Sequence, residues 1–258
     1  MVILIAESKT FQSELREISP SQLKERTPAG ENKAATIMAR IAGMPLSELG
    51  FLTKLKGKTL LRCHETAIEF PNKLTGLTAI EAYTGVVYKA LDYPSLTSQS
   101  MNYAQKSLRI ISSLYGWLRP ENIIKDYRLD YTARVAPEDV SLAAYWKKDV
   151  TVSLVNYLKS AGENEILNLL PGDAAKTIDW KLVKNFAKVW KVDFKQLQPG
   201  GSFTTPTANR LKQLRGHLLR QILLKGISSP SALLEFATTE LVPLGTPDYP
   251  DHIAFMTE

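Results

Sequence analysis

Arg215 stands where a guanidinium is costly to keep. On a helix opening near Pro206, a rotation of about 100° per residue sets it among Leu211, Leu218, Leu219 and Ile222, on the face that should be buried. A charge there must either pair with a carboxylate or point into a polar cleft, because an unpaired buried guanidinium is expensive. Lys212 lies at the edge of the same stripe. A second group, Tyr115, Arg119, Tyr127 and Arg128, interleaves aromatic planes with forked donors, a combination suited to stacking on bases and holding phosphates. Lys9 belongs to the polar run Glu7-Ser8-Lys9-Thr10 directly after an apolar strand, and polar side chains at the end of a buried strand often line a site.

Other chemistry is poorly provided for. His64, His217 and His252 are far apart and form no paired-ligand motif, so no metal site and no cofactor are expected. Cys63 and His64 are adjacent, and neighbouring side chains point apart in regular structure, which argues against a nucleophilic dyad. Gly57-Lys58-Thr59 resembles the end of a phosphate-binding loop, but Leu52 occupies the place of that loop's first glycine and no strand precedes it. The same stretch fits a helix-hairpin-helix-like element near residues 44–65 better. Leu46, Leu49, Leu52 and Leu55 would form the first helix, Gly57 the tight turn, and a second helix would run from Thr59. In such an element Gly57 lets backbone N–H groups approach a DNA phosphate, while Lys54, Lys56 and Lys58 supply charge. An ordinary helical hairpin with solvated lysines is the alternative.

The elements that must hold these residues are a mixture. Val2–Ala6 reads as a buried strand, and residues 19–60 as helices opened at Ser19-Pro20 and Pro45 and punctuated by Gly43, Gly50 and Gly57. Ala104, Leu108, Ile111 and Tyr115 recur at helical spacing, with Gly116 placed as the C-terminal cap. A helix is expected over 141–160, ending at Gly162, with strands near 165–170 and 187–194. Thr205 and Pro206 would open the helix that ends at Gly226, and a short helix over 231–237 would follow, with edge strands near Leu241 and over 252–256. The reading is an α+β fold, a single domain over 1–258, with helices wrapped around a small mixed sheet.

Composition sets the outer bounds. The 258 residues are 44% hydrophobic and 22% charged, enough to bury a core. No stretch approaches the roughly 18 to 20 apolar residues of a membrane span, and the short N-terminal apolar run lacks a basic flank. A lone cysteine suits a reducing compartment, so a cytoplasmic protein with no membrane partner is expected. The net charge of +6 is unevenly spread. Residues 174–225 hold 11 basic and 2 acidic side chains, whereas 226–258 hold 5 acidic and no basic ones. That asymmetry points to a polyanionic partner, although Lys176, Lys181, Lys184 and Lys188 could simply solvate one helix face.

Ser113-Leu114-Tyr115-Gly116-Trp117-Leu118-Arg119-Pro120, followed by Tyr127-Arg128-Leu129-Asp130, resembles two signature segments of the YaaA family of bacterial peroxide-stress proteins, S-G-L-Y-G-x-L-R-P and Y-R-L-E-M-G. Lys9-Thr10, Gly85-x-Val87-Tyr88, Tyr145-Trp146, Asn168-Leu169 and Lys212-x-x-Arg215-Gly216 extend the resemblance in family order over nearly the whole chain. The resemblance implies a family-specific α+β fold with a positively charged cleft, a helix-hairpin-helix element, DNA binding, and a link to limiting iron-dependent oxidative damage. Carried over by position, Lys9, Tyr115, Arg119, Tyr127, Arg128, Lys212 and Arg215 would belong to the cleft, and Lys54, Lys56, Gly57 and Lys58 would make the hairpin contact. The chain departs from the pattern at Val86, Pro171, Ala174 and Asp130-Tyr131-Thr132, where the family has Asp, Ser, Tyr and Glu-Met-Gly. Losing an acid and a hydroxyl while keeping Arg and Lys favours binding over catalysis.

Two functions are therefore expected to compete. The first is a non-enzymatic stress protein that binds duplex or branched DNA. The second is an enzyme acting on a small anionic or nucleotide-like ligand, with Lys9, Tyr127 and Asp130 as acid–base groups and Arg119, Arg128 and Arg215 orienting the anion.

Overall fold

Val2–Ala6 carries no polar side chain, and its first four residues are buried, as a strand covered on both faces requires. In the computed structural model, which describes residues 1–244 and 251–257, this strand lies inside a mixed eight-stranded sheet. Leu108–Ser112 runs parallel on one side of it (Ile3 beside Leu108), and Glu165–Asn168 runs parallel on the other (Val2 beside Ile166). Beyond Glu165–Asn168 come Lys188–Leu197 and His252–Thr257, also parallel. Gly116–Leu118 and Val242–Pro243 close the two edges antiparallel, and Phe203–Thr204 pairs with the end of Lys188–Leu197. A three-stranded sheet of Arg16–Glu17, Thr75–Thr78 and Ile123–Ile124 stands apart.

The α+β architecture thus agrees with the sequence reading, but the sheet is larger and more parallel than expected. Leu108–Ser112 is a strand rather than the continuation of a helix, which stops at Ser107. All five of its residues are buried, so its run of Leu, Ile and Ile satisfied a helical spacing by accident. Gly116 accordingly caps no helix and instead begins a strand at φ +71°. His252–Thr257 is not an edge, because Val242–Pro243 covers it. The expected short helix over 231–237 is a 3-10 turn, Pro230–Leu234. Lys176, Lys181, Lys184 and Lys188 share no helix face: Lys181 lies in Trp180–Val183, whereas Lys188 begins a strand.

Helix ends follow local chemistry. Ser19 and Gln22 form a reciprocal capping box, and Ser141 caps Leu142–Ala161, which Gly162 ends in the left-handed region. Thr207, not Thr205, caps Ala208–Lys225, and Gly226 terminates it. That helix buries Leu214, Leu218, Leu219 and Ile222. A Cβ on its Gly216 would stand 2.3 Å from the Val87 carbonyl oxygen, so the glycine permits close docking on Val86–Leu91. Leu46–Thr53 and Gly57–Glu69 form a helical hairpin whose short link needs left-handed backbone at Lys54 (φ +60°) and Gly57 (φ +52°). No helix among the described residues is long and apolar enough to cross a membrane.

Candidate functional site

The chain steps from Val2–Ala6 outward through Leu108–Ser112 to Gly116–Leu118 and then crosses back to the other side of Val2–Ala6, and ligands of parallel sheets gather at the carboxyl ends of strands beside such a reversal. Here Glu7 follows the carboxyl end of Val2–Ala6, and Ser112 and Ser113 lie at the end of the neighbouring strand. The Glu7 carboxyl accepts the Ser113 backbone N–H at 2.8 Å and the hydroxyl of Tyr127.

The remaining hydrogen bonds fix the direction of this network. Ser112 Oγ accepts the N–H groups of Leu114 and Tyr115, at 3.2 and 3.0 Å, so its own proton goes to Tyr127 Oη, 2.7 Å away. Tyr83 Oη, also 2.7 Å from Tyr127 Oη, donates to it as well, because the Tyr127 proton is already committed to Glu7. Burial opposes the negative charge more than these donors favour it, and the Glu7 pKa is raised to about 7. The same burial holds Tyr83 and Tyr127 well above the usual phenol value, so both stay neutral at physiological pH. Sequence reasoning picked Lys9 from the run after the first strand and missed Glu7, two residues earlier.

Tyr127 connects this network to the surface. It lines a pocket of about 310 Å³ together with Lys9, Lys58, Arg62, Asp126 and Arg128. Phe11, also in the wall, packs its ring 5.1 Å from Tyr83 and 5.0 Å from Tyr127. Asp126 is shared by Arg62, at 3.3 Å, and Lys73. Asp130 is shared by Lys9 and Arg128, the latter at 3.9 Å. Four cations therefore pair with two carboxylates, and a fifth, Lys58, lines the pocket with no ion pair among the described residues. Such an arrangement can bind an anion, with the ring of Tyr127 in the wall between it and the buried network.

Lys9, Tyr127 and Arg128 of the expected cleft are thus brought together with Lys58 of the hairpin. Lys54 and Lys56 are exposed on the turn beside Lys58 but do not line the pocket, and nothing lies within 4 Å of a Cβ built on Gly57. Tyr115 is fully buried, its hydroxyl accepting the Lys125 N–H at 3.1 Å, and so is a core residue. Arg119 pairs with Glu121 at 3.3 Å, away from the pocket lining. Lys212 is exposed and Arg215 half-buried on Ala208–Lys225, also outside that lining. Arg215 has no ion pair among the described residues; burial lowers its pKa, and Asp193 opposes the effect. The Cys63 thiol, buried on Gly57–Glu69, is pushed up to about 11 by burial.

The SLYG stretch earns its place by architecture. Ser113 presents its N–H to Glu7 and its carbonyl to Trp146 Nε1, at 2.9 Å. At Gly116 the positive φ and a Trp146 ring atom 2.5 Å from a built Cβ leave no room for a side chain. The fold and this site define an α+β protein with a cationic pocket over a buried carboxyl network. The model of the family described as peroxide stress protein YaaA matches residues 1–242, and the chain belongs to that family. Among its relatives, a UPF0246 protein of Parabacteroides distasonis is 30% identical over 239 residues, covering 92% of this chain and 91% of the relative. A UPF0246 protein of Phocaeicola vulgatus is 31% identical over 237 residues, covering 91% and 89%.

Proposed function

We propose that the protein serves peroxide-stress defence by binding DNA, and so limits iron-dependent oxidative damage to it. The observation that carries this reading is the adjacency of two cationic features. The turn with exposed Lys54, Lys56 and Lys58 runs straight into a pocket lined by four cations, Lys9, Lys58, Arg62 and Arg128, and one carboxylate, Asp126. Backbone phosphates, duplex or branched, would meet the turn as they meet a helix-hairpin-helix, with the open space at Gly57 allowing close approach of the backbone. Anisotropy of a labelled duplex tests it: binding should be tight at low salt and weaken in Lys56→Glu plus Lys58→Glu. No detectable binding at low salt would remove the proposal.

One observation favours a second reading, an enzyme acting on a small anionic or nucleotide-like ligand. Tyr127 faces the pocket while hydrogen-bonded to a carboxyl whose pKa is raised to about 7, the range in which acid–base groups work. Turnover of a phosphorylated metabolite, abolished in Tyr127→Phe, would establish it.

A further inference from the structure

Gly57-Lys58-Thr59 lacks the strand and first glycine of a phosphate-binding loop, yet the fold gives it that loop's essential setting. It starts a 13-residue helix, Gly57–Glu69, whose N-cap Lys56 makes no side-chain cap hydrogen bond. The first N–H groups of the helix are left open, and its dipole adds positive potential there. Lys58, Thr59, Arg62 and Thr66 then follow down one face, and all four line the pocket.

Two donors in the pocket lack partners. Thr66 is only 3% exposed, but its hydroxyl, with no hydrogen bond among the described residues, is not sealed from the pocket. One terminal nitrogen of Arg128 is buried without a hydrogen bond, since Asp130 at 3.9 Å is too distant to accept one. A buried guanidinium nitrogen is rarely left unsatisfied without a reason.

We propose that this pocket is a site for a phosphomonoester, held by the helix N-terminus, Lys58, Arg62, Thr66 and Arg128. Four cations against the one carboxylate in the pocket wall leave capacity for a dianion. A monoester has three terminal oxygens for these donors, whereas a phosphodiester offers two and continues on both sides. The inference deepens the DNA reading and rests on it only in taking the phosphate to be that of a strand end; a free nucleoside monophosphate carries the same group.

The test compares one short duplex with hydroxyl ends and with a single 5′-phosphate, in wild type and in Arg62→Gln, whose side chain is 64% exposed and whose loss the fold should tolerate. The terminal phosphate should tighten binding about tenfold, the worth of one charge-assisted contact. Arg62→Gln should erase that gain, bringing the affinity ratio of the two duplexes to about one whatever it does to hydroxyl-ended binding, and nucleoside monophosphate should compete. Equal affinity for both duplexes with no competition by the monophosphate would overturn the inference and leave DNA binding standing. Monophosphate binding without any duplex binding would support the site and remove the DNA reading. No binding of either would overturn both.

Discussion

Tyr127 gives its proton to the Glu7 carboxyl and receives those of Ser112 and Tyr83, while its ring walls a cationic pocket. Every lone pair and proton of that hydroxyl is used, so the network is polarised toward Glu7. An anion entering the pocket adds negative charge close to a carboxyl that already resists ionising.

Glu7 should write a signature into stability. Its carboxyl holds a proton up to about pH 7, whereas in the unfolded chain it releases it near its ordinary value of 4.5. Across that window the folded state binds more protons, so wild-type stability falls as pH rises, by up to about 1.4 kcal/mol per pH unit. Glu7→Gln keeps an acceptor for Ser113 and Tyr127 but cannot titrate. Urea unfolding between about pH 5 and 7 should show the variant gaining steadily on wild type; parallel curves would mean that Glu7 ionises normally.

Two glycines with similar backbone separate strain from crowding. Gly162 has φ +66° and open space around a built Cβ, so Gly162→Ala should cost about 1 kcal/mol, the left-handed penalty alone. Gly116→Ala must also displace the Trp146 ring, 2.5 Å from the built Cβ, and should cost roughly 3 kcal/mol or more. Chemical denaturation of both variants checks the difference.

Arg215 is half-buried with no ion pair among the described residues, and burial disfavours its charge. Arg215→Met should therefore hold or raise stability, by up to about 1 kcal/mol, while weakening DNA binding. A loss of about 2 kcal/mol with unchanged binding would make the guanidinium structural instead.

Much of this was legible in residue types. The Val2–Ala6 strand, the Ser19 opening and the Gly162 and Gly226 stops follow from apolar runs and capping chemistry that act locally. Leu108–Ser112 was not, because a strand buried on both faces loses the alternation that marks it. Lys9, Lys58, Tyr127 and Arg128 were all recognisable as anion binders, but their meeting depends on the hairpin docking near the end of the first strand. Glu7 stayed hidden for a related reason. Its partner Tyr127, and the Ser112 and Tyr83 hydroxyls that bond Tyr127, come from three distant segments, and only the fold sets these hydroxyls together.

The most direct measurement is the affinity of a hydroxyl-ended duplex for wild type and for Lys56→Glu plus Lys58→Glu between about 50 and 200 mM salt. A steep linear fall of log affinity with log salt is predicted for wild type, with a slope shallower by about 0.9 for each phosphate contact the double variant loses. Indistinguishable affinities and slopes for the two proteins would contradict the account.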